Sequence, residues 1–304
     1  MIIINIMGGL GNQMFQYAAA KRLSITHNTP LKIDTSNFDK CTPNREHTLQ
    51  LHSFRITAPP ASRGEIAEYR KSGLKHKLCV ASLLKALGLC GESGETPRVY
   101  SEPAGSAFKP EFLALGPKTY LIGYFNSYKY FDAVRQLLVE EFAPREEISD
   151  AARRILASIA DSNAVSVHVR RGDYVADPNI RKDLEGVITE RYYQNAVDYM
   201  AERVSHPHFF MFSDDIAWVK ENLRPPHKVT YVDFNSPQRG FEDLWLMSRC
   251  KHNITAGGST FSWWAAYLNP NREKVVVRTE KISSNSAYNH PEDYFPPEWK
   301  SVKS

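Results

Sequence analysis

Cysteine is scarce in this chain. Four occur among 304 residues, Cys41, Cys79, Cys90 and Cys250, scattered without metal-ligand spacing. That scarcity excludes a disulfide-stapled scaffold and a zinc ribbon, and reduced thiols are the expected state. Long apolar runs are lacking as well: none approaches the roughly 20 residues of a membrane-spanning helix. The start Met1-Ile-Ile-Ile-Asn-Ile has no basic segment before it and breaks into Gly8-Gly9, so it reads as a first strand rather than a secretion signal. Nor is charge of one sign in large excess. A formal net charge of +4 suits a small anionic ligand and falls short of the basic footprint of nucleic-acid binding. Two familiar nucleotide signatures are missing. Asn12-Gln13-Met14 follows Gly9-Leu-Gly11 where G-x-G-x-x-G needs another glycine, and no Gly-Lys-Ser/Thr occurs.

What is present describes an α/β protein. Apolar residues at 42% and charged residues at 24% are those of a globular chain, long enough for one large or two ordinary domains. In the second half, strands are expected at 164–169, 208–212, 228–232, 252–255 and 274–278. Helices are expected between them at 150–160, 189–203, 216–222, 238–249 and 260–268. Such alternation predicts a parallel sheet with helices on both faces. The first half opens with a strand at 2–6, a glycine loop and a helix at 12–24, then a strand at 31–34. Helical segments follow at 65–71 and 74–87, and a strand at 119–125 leads into a helix over 128–142. Residues 35–63 and 91–116 read as loops, the latter exposed over a cleft. The polar link at 146–150 separates two domains, 1–146 and 147–304. Helix 74–87 gathers Leu74, Leu78, Ala81, Leu84 and Leu87 on one face, with Lys75, Lys77 and Lys85 around the rest. The plainer reading is a core-facing helix; the alternative is a basic surface for anionic lipid or a lipid-linked acceptor.

The chain is organised around 164–174, Ala-Val-Ser-Val-His-Val-Arg-Arg-Gly-Asp-Tyr. A run of β-formers ends in a turn signal, so His168, Arg170 and Arg171 lie at a strand's carboxyl end, where open α/β sheets bind ligands. Arginine presents a planar, permanently charged fork that suits phosphate. Strand alternation separates the two arginines: one can hold a diphosphate while the other fixes the loop or a second substrate. Two further strand ends carry polar groups, Ser213-Asp214-Asp215 and Gly257-Gly258-Ser259-Thr260. Ser259, Thr260 and Ser262 fall at a helix amino terminus, which favours phosphate, against the plainer reading of a helix cap. Trp263 and Trp264 are expected in the core.

His168-Val-Arg-Arg-Gly-Asp-Tyr174 resembles the His-x-Arg-Arg signature of the α-1,2- and α-1,6-fucosyltransferase superfamily. Gly8–Tyr17, Gly123–Phe131 and Ser259–Leu268 are similar to α-1,2-fucosyltransferases in particular. The resemblance implies a GT-B-like architecture: two Rossmann-like domains facing a cleft, with the acceptor side amino-terminal and GDP-fucose held by the carboxyl-terminal domain. It implies inverting transfer of L-fucose from GDP-β-L-fucose to O2 of a terminal β-galactoside, as a step of bacterial surface polysaccharide (O-antigen) synthesis. Animal relatives carry a membrane anchor ahead of the catalytic region. Its absence here points to a cytoplasmic bacterial enzyme, with a peripheral contact at the inner face of the membrane as the minority reading of helix 74–87.

The same resemblance assigns roles. Arg170 would stabilise the leaving diphosphate, and Asp173 is the candidate general base, the alternative being a turn carboxylate paired with Arg171. His168, Arg170, Arg171, Ser259, Thr260, Ser262, Gly9 and Asn12 would bind the donor. Asp214 or Asp215 would accept hydrogen bonds from the guanine edge, and Gln13, Tyr124 and Asn126 would meet the acceptor. The family often has Asn where Gly258 stands, so no side-chain role is carried over there. No cofactor and no metal are expected. Asp214-Asp215 is adjacent rather than spaced as Asp-x-Asp, fixed positive charge can do a cation's work, and His206 and His208 lack a carboxylate or thiolate partner. Two runners-up remain: a related transferase acting on another hydroxyl or using GDP-mannose, and a binding module without turnover.

Overall fold

Short runs of β-branched and aromatic residues supply the strands, and the chain places them in two separate parallel sheets. The computed structural model describes residues 1–39, 48–78, 97–105 and 107–304, the side chains of 72–78, Asp173 and Pro237 excepted. Cys41, Cys79, Cys90 and most of the 74–87 segment lie outside the described residues. Cys250 is free and buried, and burial pushes its thiol up. Among the described residues no helix is long and apolar enough to cross a membrane.

The first sheet holds β1 (Ile2–Asn5), β2 (Leu31–Asp34), β3 (Arg98–Ser101) and β4 (Thr119–Ile122) in the order β2-β1-β4-β3, every pair parallel. Helix Leu10–Thr26 follows β1, and its Met14, Phe15, Tyr17 and Ala18–Ala20 are fully buried. β3 corrects the expectation of a bare loop at 91–116. Its β-forming triplet Arg98-Val-Tyr100 is too short to stand out among glycines and prolines, and pairing with β4 satisfies its backbone. The helix expected over 128–142 is also broken. Two 3₁₀ turns, Tyr128–Tyr130 and Asp132–Val134, precede a short helix, Arg135–Glu141. Neighbouring Tyr130 and Phe131 are both buried but pack on different partners, Tyr130 on Phe112 and Phe131 on Phe15.

The second sheet runs β10-β9-β8-β5-β6-β7, again parallel throughout. Its strands are β5 (Asn163–Val169), β6 (Pro207–Ser213), β7 (Lys228–Val232), β8 (His252–Ile254), β9 (Val276–Thr279) and β10 (Lys300–Val302). One face of it, Val165, Val167, Val169, Phe209, Met211, Ile254 and Val277, forms a core with Tyr192, Tyr193, Ala196, Val197 and Met200 of helix Glu190–Ala201. Trp263 and Trp264 are fully buried.

By compactness the units are Met1–Leu51, Ile56–Ala104 and Phe108–Leu137 for the first, and His52–Arg55, Gly105–Ala107 and Leu138–Ser304 for the second. The changeover at Leu137–Leu138 precedes the polar link at 146 because Phe142 is buried against Phe54 and Trp264, all members of the second unit. Each sheet reverses its strand order once, between β1 and β4 and between β5 and β8, and in open α/β sheets the crevice at the carboxyl edge of such a switch point is where ligands bind.

Candidate active site

At the second sheet's switch point, alternation turns Ser166 and His168 away from the face that carries Val167 and Val169. His168 is buried, its ring centre 5.4 Å from that of Phe261 in helix Thr260–Leu268. The ends of β5 and the start of the helix after β8 therefore meet. Burial pushes the His168 imidazole down to about 4, against the pull of the Asp214 carboxylate and with the help of Arg170. Its Nδ1 finds no hydrogen-bond partner, so a neutral imidazole sits beside the strand end.

The two arginines divide their work. Arg171 donates from Nε to Asp215 Oδ2 at 3.1 Å and lies 3.8 Å from the Trp218 ring centre, which fixes the loop. Arg170 Nη1 is 3.1 Å from Asp214 Oδ2, with its side chain one-third exposed. Asp214 Oδ1 also accepts the Arg171 backbone N–H at 2.8 Å. A Cβ on Gly172 would sit 2.9 Å from Asp214 Oδ2, so glycine is what lets the loop close on this carboxylate. Asp215 in turn caps helix Ile216–Asn222 through the Trp218 N–H. Asp214 and Asp215, expected to read a guanine edge, each carry an arginine: β5 and β6 are in register at Val169 and Ser213, so the two arginines face the two aspartates. Asp173 lies in the short helix Gly172–Ala176, and its side chain is outside the described residues.

Ser259 is the N-cap residue of helix Thr260–Leu268 but makes no side-chain cap bond. The plain-cap reading is not what forms at Ser259, and a helix amino terminus without a side-chain cap is a place where an anion can be received. Ser262 differs. It is buried, and its hydroxyl accepts the Ala256 N–H at 3.1 Å, closing the turn. Gly258 has φ +69, in the left-handed region that glycine adopts without strain.

Sequence reasoning missed Asp243. It lies in the first turn of helix Gly240–Arg249, where an acidic residue looks like ordinary dipole stabilisation. Burial raises its carboxyl to about 6, against a hydrogen bond donated by Asn235 Nδ2 at 2.6 Å and with Glu242 adding to the rise. The helix start packs near the helix after β8, since a Cβ on Gly240 would be 3.9 Å from Phe261.

In the first unit the glycine loop starts helix Leu10–Thr26 at Gly9, again with no side-chain cap. A Cβ on Gly8 would touch Asn12 Nδ2 at 3.1 Å and Tyr124 Cε1 at 3.4 Å, so Gly8, Asn12 and the exposed Tyr124 share the β1–β4 switch point. Asn126 follows, half-buried, its Oδ1 without a partner. Gln13 is corrected. It is fully buried, and its amide donates to the Gly8 and Thr48 carbonyls at 2.8 Å and accepts the Gln50 N–H at 2.9 Å, so it holds the loop together. Glu102, inside the expected loop, is a second residue that reasoning missed. Its Oε2 accepts the Tyr124 and Phe125 N–H groups at 2.8 Å each, and burial raises its carboxyl despite those bonds.

His208 lies in β6 with Nε2 on the Thr230 hydroxyl at 2.8 Å, and His206 precedes that strand, at the sheet edge away from the crevice. Among the described residues one His/Asp/Glu group has donor atoms close enough to share a cation, His290, Glu292 and Asp293.

Against known proteins, the pattern of the family described as glycosyl transferase family 11 matches residues 100–303. The chain is 32% identical over 274 residues to an α-1,2-colitosyltransferase of Escherichia coli, covering 88% of this chain and 87% of that protein. It is 27% identical over 310 residues to galactoside α-(1,2)-fucosyltransferase 2 of Pongo pygmaeus, covering 98% and 78%. Among solved structures it resembles the fucosyltransferase NodZ from Bradyrhizobium, with TM-score 0.50, 14% identity and coverage of 92% and 94%. The shared fold is the GT-B-like α/β fold.

Proposed function

Because the chain belongs to glycosyl transferase family 11, we propose that it transfers L-fucose from GDP-β-L-fucose to O2 of a terminal β-galactoside, with inversion and without a metal. The transferase class rests on the family; the donor, linkage and acceptor are the finer reading. One observation supports that reading: the end of β5 carries His168 and Arg170, and the His168 ring lies 5.4 Å from Phe261 in the helix whose amino terminus, Ser259–Thr260, has no side-chain cap. A guanidinium and free helix N–H groups are the donors that would offset the negative charge a nucleoside diphosphate gathers as the C1–O bond breaks. The buried, neutral His168 presents a bare ring nitrogen at the same strand end. Asp243, desolvated and unpaired with any arginine, replaces Asp214 and Asp215 as the acceptor for guanine N1–H and N2–H. Asp173 is the proposed base that takes the acceptor proton, with Asn12, Tyr124 and Asn126 holding sugar hydroxyls. A bacterial surface polysaccharide is the proposed destination of the product.

A second donor is favoured by a specific finding, the similarity to a colitosyltransferase. The test is GDP release from GDP-fucose in EDTA, with and without lactose, followed by linkage analysis of the product. Lactose-stimulated release with an α-1,2-linked product supports the reading. Release that requires added Mg²⁺ or Mn²⁺ would overturn its metal-free part, and GDP binding without lactose stimulation would overturn the acceptor.

A further inference from the structure

The carboxyl end of β5 borders a hollow that extends beyond the two arginines into segment 174–191, which the donor reading does not use. It encloses about 890 Å³, within the roughly 300–1,000 Å³ usual for small-molecule sites. Arg170, Arg171 and Trp218 form one wall, and the segment 174–191 forms the other. Tyr193 and Trp218 belong to the core on the Val167–Val169 face of the sheet, whereas alternation sends His168 to the opposite face, so hollow and crevice flank the strand end from two sides.

Its charge is tipped towards positive by a single unit. Arg170 and Arg171 are balanced by Asp214 and Asp215. Arg181, Lys182 and Arg191 add positive charge, opposed within the lining only by Glu185 and Glu190. Tyr193 is 3% exposed, and its hydroxyl makes no hydrogen bond of normal geometry although the Arg170 backbone N–H lies beside it. A buried phenol without a partner costs desolvation unless a ligand supplies an acceptor. Guanidinium forks, an ammonium and a phenol O–H are the donors that a phosphoryl group takes.

We propose that this hollow is a second oxyanion subsite, holding a phosphoryl group carried by the acceptor while the donor's diphosphate occupies the crevice. The inference rests on the transferase reading above. On this arrangement Arg170 stands between two anions, and acceptor phosphate would position the galactoside and set acceptor choice.

Two arms test it on the full chain, using Arg181→Ala/Lys182→Ala, whose side chains are exposed. In the first, inorganic pyrophosphate is titrated calorimetrically into protein saturated with GDP. Binding by the parent protein that weakens at least tenfold in the double variant is expected. Loss of pyrophosphate binding when GDP is present would mean one shared site and overturn the proposal, as would unchanged binding by the variant. In the second, kcat/KM is compared for lactose 1-phosphate and lactose. A preference of about tenfold or more for the phosphorylated acceptor, reduced in the variant, identifies acceptor phosphate as the ligand. No preference alongside pyrophosphate binding would identify free phosphate as the occupant and overturn the acceptor role. Should GDP itself fail to bind, the donor reading fails, while the pyrophosphate titration still decides for or against an oxyanion site.

Discussion

Arg170 and Arg171 are neighbours with the same chemistry, and their surroundings give them different tasks. Arg171 is held between Asp215 and the face of Trp218, so its removal should loosen the loop. Arg170 pairs with Asp214 and keeps a third of its side chain exposed. Arg170→Ala should therefore lower kcat by about 10²–10³ with little change in thermal stability, the size typical of losing one preorganised charge at a developing anion. Arg171→Ala should lower Tm as well. A near-normal kcat in Arg170→Ala would remove it from the chemistry. His168 gives a pH test. Its folded value of about 4 lies below the ordinary 6.5 because burial disfavours the charged ring. The unfolded chain then takes up a proton first as pH falls. His168 thus contributes no penalty above pH 6.5, and stability declines between 6.5 and about 4 with a slope of at most about 1.4 kcal/mol per unit. Urea titrations across that window should show a shallower decline in His168→Phe than in the parent. Equal slopes would mean that His168 is not the group responsible.

At the level of elements, the loop after β5 is tightly closed on its neighbour. Gly172 sits where a Cβ would press on Asp214 Oδ2, the oxygen paired with Arg170. Gly172→Ala should cost about 1–3 kcal/mol of stability, as overpacking does, and lower kcat as well, because Arg170 loses its register. Stability lost with kcat intact would show the pair to be structural only. The strand that feeds this loop was legible from its valine alternation, and so were the helix starts after β6 and β8. What the sequence could not show was pairing. Asp214 and Asp215 look available for a base until β5 and β6 come into register and each meets an arginine. Gln13 likewise looks like a sugar ligand until three backbone groups take its amide. Asp243 and Glu102 were hidden for the opposite reason: a carboxylate in a first helical turn or a proline-rich stretch looks ordinary, and only burial marks it out. β3 and the 3₁₀ turns before Arg135 depend on partners distant in sequence, which local periodicity does not encode.

Across the whole molecule, both sheets bring polar side chains to a switch point. The second presents His168, Arg170, Ser259 and Thr260. The first presents Asn12 and Tyr124, with Asn126 following. Asn12, Tyr124 and Asn126 are groups suited to reading hydroxyls. A site built from hydrogen-bonding groups rejects an analogue that lacks one of them far more strongly than an apolar pocket rejects an extra group, because its own polar atoms are left unpaired. Colitose is fucose without the C3 hydroxyl, which makes the donor question a direct probe of how the site is built. For a fucosyl donor, kcat/KM for GDP-fucose should exceed that for GDP-colitose by about 10² or more, with lactose as acceptor in both cases. Asn12→Ala should narrow the ratio if Asn12 reads that hydroxyl. A ratio near one would mean that no group reads C3, and the chain would serve either donor. A ratio below one would assign it to the colitosyl branch of the family, leaving Arg170 and the helix start at Ser259 in the same role.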